Sequence, residues 1–132
     1  MEDRRIVDSQ ITVSSVFTGG TYNYHGATNA RLNRPAEFNG TSTSGAWVAA
    51  VDDAYQWIQV NFGFAKMISG IVLQGREDES QWVTKYQVNY SKDAISWMWV
   101  KDANQQIVSH CPNLKMFKEC NFISKLKLSF QN

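Results

Sequence analysis

The stretch that decides the fold is Gln81-Trp-Val-Thr-Lys-Tyr-Gln-Val-Asn-Tyr-Ser91. From Trp82 to Ser91 it alternates. Trp82, Tyr86, Val88 and Tyr90 face one way, and Lys85, Gln87, Asn89 and Ser91 face the other. That period of two is the mark of an antiparallel strand with one side wet. Ser91-Lys-Asp-Ala94 then reads as a turn, and Ile95 to Val100 as its partner strand, with Trp97 and Trp99 on one face.

The same pattern recurs outward from this hairpin. Ile11 to Phe17 reads as a strand. Tyr55 to Phe62 places Ile58, Val60 and Phe62 on one face and Trp57, Gln59 and Asn61 on the other, and Gly63 is expected to turn the chain. Met67 to Leu73 is apolar on both faces, which predicts a central strand covered on two sides. Ser124 to Phe130 alternates leucines and Phe130 with lysines and a serine. Helical periodicity is weak throughout. Short strands with turn signals between them predict an all-β sandwich or barrel.

The chain has 132 residues, enough for one domain with a real core, and a net charge of +1. No overall field points to nucleic acid. Residues 101–132 carry 5 Lys/Arg against 2 Asp/Glu, so the last quarter is mildly basic. No apolar run approaches the ~18–20 residues that span a bilayer. Met1 to Val7 has no apolar core and no small-residue cleavage site, so no signal peptide is read there. Cys111 and Cys120 are too few for a disulfide scaffold; free thiols or one local bridge are the readings. With His110 they fall short of the usual four ligands of a structural zinc site. The catalytic inventory is poor: no G-x-S-x-G, no phosphate-binding glycine loop, no histidine cluster. Adjacent Asp52 and Asp53 would point to opposite faces of a strand, which does not suit a carboxylate pair acting on one bond.

Several ordered motifs resemble the discoidin, or coagulation factor five/eight C-type, domain family. They are Met1 to Ser15, Asn29-Ala-Arg-Leu-Asn33, Gly45-Ala-Trp-Val-Ala-Ala50, Gln56-Trp-Ile-Gln-Val60, Gln74-Gly-Arg-Glu-Asp78 and Gln81-Trp-Val-Thr-Lys-Tyr86, continuing through Tyr90-Ser-Lys-Asp93 to Trp97. The resemblance covers residues 1–103. It implies a discoidin-like jelly-roll antiparallel β-sandwich whose loops at one end hold ligands, in an extracellular or cell-surface setting within a larger protein. Its usual last two strands and framework disulfide are not recognisable here, so residues 104–132 form an atypical C-terminal segment expected to supply one strand.

The resemblance implies a non-enzymatic adhesion module. Its expected ligand is a glycan or an extracellular protein, held by loops around residues 18–26, 34–45 and 75–81. The alternatives are an anionic phospholipid surface, or service as the accessory binding unit of a larger carbohydrate-active enzyme. In the first loop Tyr22, Tyr24 and His25 could stack on a sugar or enter a membrane interface, or pack the loop instead. Phe38 is the apolar residue of the second loop. Arg31 could fork onto a carboxylate or a sugar hydroxyl, or serve structurally, bonded to a loop carbonyl or to an acid such as Asp52 or Asp53. Glu77, Asp78 and Glu79 form an acidic run that anionic lipid would repel. Asp78 and Glu79 could help hold Ca²⁺, or Arg76 could pair with a carboxylate of the run. Four tryptophans (Trp47, Trp57, Trp82 and Trp97) are expected in the core. Asn39 and Asn89 head glycosylation sequons, with Asn89 on the wet face of its strand.

Overall fold

A computed structural model describes residues 5–20, 24–38, 42–68, 70–101, 104–107, 109–110 and 121–130. The described chain is all-β apart from two single turns of 3-10 helix, at Asp8–Gln10 and Ala27–Asn29. Its strands are β1 (Ile11–Val13), β2 (Trp57–Ile68), β3 (Tyr86–Ser91), β4 (Met98–Trp99), β5 (Ser109–His110) and β6 (Asn121–Phe130). They form one antiparallel sheet in the order β1-β2-β6-β3-β4, with β5 also paired to β3.

The period-two reading of β2 holds where it matters. Ile58 and Val60 are buried, and Val13 and Ile11 lie opposite them in register. Directly opposed residues share a face, so these four build one side of the core with Tyr86 and Val88. The second layer is extended chain with little ladder of its own; Ala27, Ala30, Trp47, Ile71, Leu73 and Val83 pack from it onto the buried cluster.

The C-terminal strand is central. β6 begins at Asn121 rather than Ser124 and lies between β2 and β3, with Leu128 opposite both Ile58 and Val88.

Several strand readings change: β1 stops at Val13 short of Phe17, and β4 is Met98–Trp99 rather than Ile95 to Val100. Gly63 does not end a strand: with φ of 78° it shapes a bulge inside β2, where its N–H donates to Asn61 Oδ1 at 2.9 Å, and the ladder resumes at Lys66. The reading of Met67 to Leu73 as a strand covered on two sides does not hold: β2 ends at Ile68, and Met67 and Val72 stand 59% and 71% exposed. The strand around Tyr86 starts at Tyr86, which leaves Trp82 63% exposed instead of in the core. Asn89 is buried, not wet: only 8% of it is exposed.

The β3–β4 turn is drawn tight by Asp93. Its Oδ1 accepts from the backbone N–H of Ser96 and of Ile95, each at 2.8 Å, and from Ser91 Oγ at 2.9 Å. These bonds favour the charged form, led by Ser96, and lower its pKa from 3.8 to about 2. A depressed carboxylate contributes stability above its unfolded pKa and loses it as pH falls through the folded value. Acid unfolding monitored by circular dichroism should therefore show a component between pH 4 and pH 2 that Asp93→Asn removes. In the core, Val88→Ala should cost about 2 kcal/mol in urea denaturation, while Ile95→Ala, at a site 84% exposed, should stay within about 0.5 kcal/mol.

Candidate functional site

The three loops singled out from sequence come together. Tyr24 and Thr43 form an isolated bridge, and Glu37 and Thr43 exchange two backbone bonds at 3.0 and 2.8 Å. The backbone N–H of Ala36 donates to Glu77 Oε2 at 3.0 Å, and that of Asn33 to Gln74 Oε1 at 2.9 Å. The first loop is thus tied to the second, and the second to the third. Gly45 allows the second loop to close: with φ of 65°, a Cβ there would lie 2.7 Å from the Arg34 carbonyl oxygen.

Within this surface the candidate residues divide into two kinds. Tyr24 and Phe38 are open, 44% and 65% exposed. The ring of Tyr24 lies over Gly26, where a Cβ would come within 2.2 Å of it, and its hydroxyl accepts from Thr28 Oγ1 at 3.3 Å. His25 is not a surface group. It is buried, makes a 3.2 Å contact from Nε2 to the Gly19 carbonyl oxygen, and meets Phe17 edge-on at 5.4 Å. It anchors the loop from beneath, which corrects its reading as a ligand contact.

The arginines are also structural. Arg76 forks onto Asp78, Nε to Oδ1 at 3.0 Å and Nη2 to Oδ2 at 2.6 Å, and Nη1 donates to Gln81 Oε1 at 3.0 Å. The two side chains are only 9% and 10% exposed. Arg31 pairs with Asp8, not with Asp52 or Asp53. Asp53 is engaged elsewhere, accepting from Tyr55 N–H and Gln56 Nε2 ahead of β2.

The acidic run is therefore not three equivalent carboxylates. Asp78 is held by Arg76, Glu77 accepts from Ala36, and Glu79 is exposed. Among the described residues no three His, Cys, Asp or Glu side chains gather as a metal site. Tyr22, Asn39, Cys111 and Cys120 lie outside the described residues.

The sequence did not disclose a groove of about 450 Å³ beside these loops. Leu32, Trp47, Ile58, Val60, Ile71 and Leu73 line it, and Arg34, Gln74, Glu77 and Trp82 stand around it. The exposure of Trp82 is the one sign of it legible in retrospect, since its strand begins four residues later than the alternation suggests. At ~24 cal/mol per Å³, an apolar void of this size, if closed and dry, would cost on the order of 10 kcal/mol, as much as a whole domain's stability.

Breaking the Arg76–Asp78 pair tests the loop frame. Arg76→Gln should destabilise by about 3 kcal/mol, and adding Asp78→Asn should recover at least half of that in a thermal-denaturation double-mutant cycle, because an orphaned buried charge costs more than the pair is worth.

Residues 10–120 match the model of the F5/8 type C domain. Retinoschisin of Mus musculus is 33% identical over 94 residues, covering 70% of this chain and 42% of retinoschisin. Lactadherin of Bos taurus is 34% identical over 110 residues, covering 77% of this chain and 23% of lactadherin. The solved structure of recombinant discoidin II of Dictyostelium discoideum shares the fold with a TM-score of 0.73 at 24% identity, over 92% of this chain and 49% of that one. The chain spans less than half the length of these curated relatives.

Proposed function

The chain belongs to the F5/8 type C (discoidin) domain family, and on that premise we propose that it is a non-enzymatic recognition module. It works outside the cell as part of a larger protein and holds a glycan or an extracellular protein on its joined loops. The observation that carries this reading is the exposure of both Tyr24 and Phe38 on loops that hydrogen bonds tie into one surface. Aromatic rings offer a flat apolar face at low conformational cost, with a hydroxyl in the case of Tyr24. The neighbouring Arg76 and Asp78 are committed to each other, so recognition rests on stacking and shape more than on charge. Asn39 would carry a glycan in this setting.

A second reading, docking to an anionic lipid surface, gains from one observation. Arg76 compensates Asp78, so the third loop repels an anionic leaflet less than its sequence suggests. Ca²⁺ enters either reading only as an added ion bridging Glu79 to the ligand.

A glycan array run with and without Ca²⁺ tests the proposal, with phosphatidylserine vesicles as the comparison. Saturable glycan binding should fall about tenfold or more in Tyr24→Ala plus Phe38→Ala, with the melting temperature unchanged. Vesicle binding lost in the same double variant, with no glycan bound, would select the lipid reading.

A further inference from the structure

We propose that the partner held on the joined loops is a protein presenting an arginine-rich segment, seated against the row of Tyr24, Thr43 and Glu37. This rests on the recognition reading above and narrows its ligand from a glycan or protein to a basic protein surface.

Thr43 bridges Tyr24 on one side and Glu37 on the other. Directly opposed residues share a face, so an aromatic ring, a small hydroxyl residue and a carboxylate stand in one row, with ~10 Å between the two outer backbones. Tyr24 is 44% exposed and the Glu37 side chain 50%. Thr43 Oγ1 is buried and has no hydrogen-bond partner among the described residues, an unmet acceptor at the middle of the row. A guanidinium matches this order of groups. Its plane stacks on an aromatic face while its N–H fork meets a carboxylate. A neutral sugar would stack as well, but it gains nothing from the charge around the row.

That charge is negative. Residues 18–26, 34–45 and 75–81 hold two arginines against four carboxylates, in a chain whose net charge is +1. Both arginines are paired within the loops, Arg34 with Glu37 at 3.3 Å and Arg76 with Asp78. Glu77 and Glu79 are exposed, and neither has an ion-pair partner among the described residues. Glu77 accepts from the backbone N–H of Ala36, the residue before Glu37, so it stands beside the row. The Arg34–Glu37 pair is open to water and worth little, which leaves the Glu37 carboxylate available to a second cation. A negative loop end on a chain otherwise net positive draws in basic partners and turns acidic ones away.

Fluorescence anisotropy tests this with a labelled peptide of four Gly-Ser-Arg repeats, set against its lysine and glutamate counterparts. The arginine peptide should bind saturably, the lysine peptide about fivefold or more weakly because it lacks the planar fork, and the glutamate peptide not at all. Glu37→Gln plus Glu77→Gln should weaken arginine-peptide binding about tenfold or more. The second change keeps an acceptor oxygen for the Ala36 N–H, so the loops stay joined. Tyr24→Leu should weaken binding through lost stacking, while Tyr24→Phe, which keeps the ring, should bind as the parent does and so separates stacking from misfolding. Ile95→Ala, 84% exposed on the β3–β4 turn, is the unaffected control. An arginine peptide that does not bind overturns the proposal, as does binding indifferent to the two glutamates or equal for arginine and lysine. Glycan bound through Tyr24 and Phe38 with no peptide bound overturns this inference alone. Neither ligand bound overturns the recognition reading with it.

Discussion

The backbone ladder of β6 is the interaction on which the rest depends. β2 pairs with β1 and β6, and β3 pairs with β4, β5 and β6, so among the described residues the two halves of the sheet share no strand but this one. Residue 128 lies opposite residue 58 on one side and residue 88 on the other. Through that register the strand reaching toward the first loops is held against the strand that follows the third. A strand near the end of the chain thereby joins β2 and β3, whose buried residues are Ile58, Val60, Tyr86 and Val88.

On this frame the loops gain a fixed geometry from few bonds. Trp47 Nε1 donates to the Ser15 carbonyl oxygen at 2.8 Å, and His25 sits buried beneath the first loop. Glu77 and Gln74 reach across to backbone N–H groups of the second loop. The charged side chains thus act largely as fasteners. The apolar ones, Tyr24 and Phe38, are left outward, an arrangement that suits recognition without chemistry.

Much of the sheet was legible because its signals are local. Ile58 and Val60 are buried as their alternation with Gln59 implies, and Asp93 turns the chain within a few residues of its place. The readings that failed did so where a remote neighbour decides. Asn89 alternates like a wet residue, yet it is buried, as Val88 on the opposite face is. Trp82 and Val72 have the composition of core, yet their segments leave the ladder and they are exposed. Arg31 does pair with an acid, but with Asp8 from far along the chain, while Asp53 is bonded to Tyr55 and Gln56.

By itself the sequence determined the fold class, the family and which loops to inspect. These follow from period-two patterning and from ordered motifs, both of which act over a few residues. Only the tertiary structure decided that the three loops form one surface, that His25, Arg31 and Arg76 are fasteners, and that an apolar groove lies beside the loops. Those outcomes depend on distances between groups some forty residues apart, such as Ala36 and Glu77, and on which chain covers which side chain. Short-range periodicity carries no information about either.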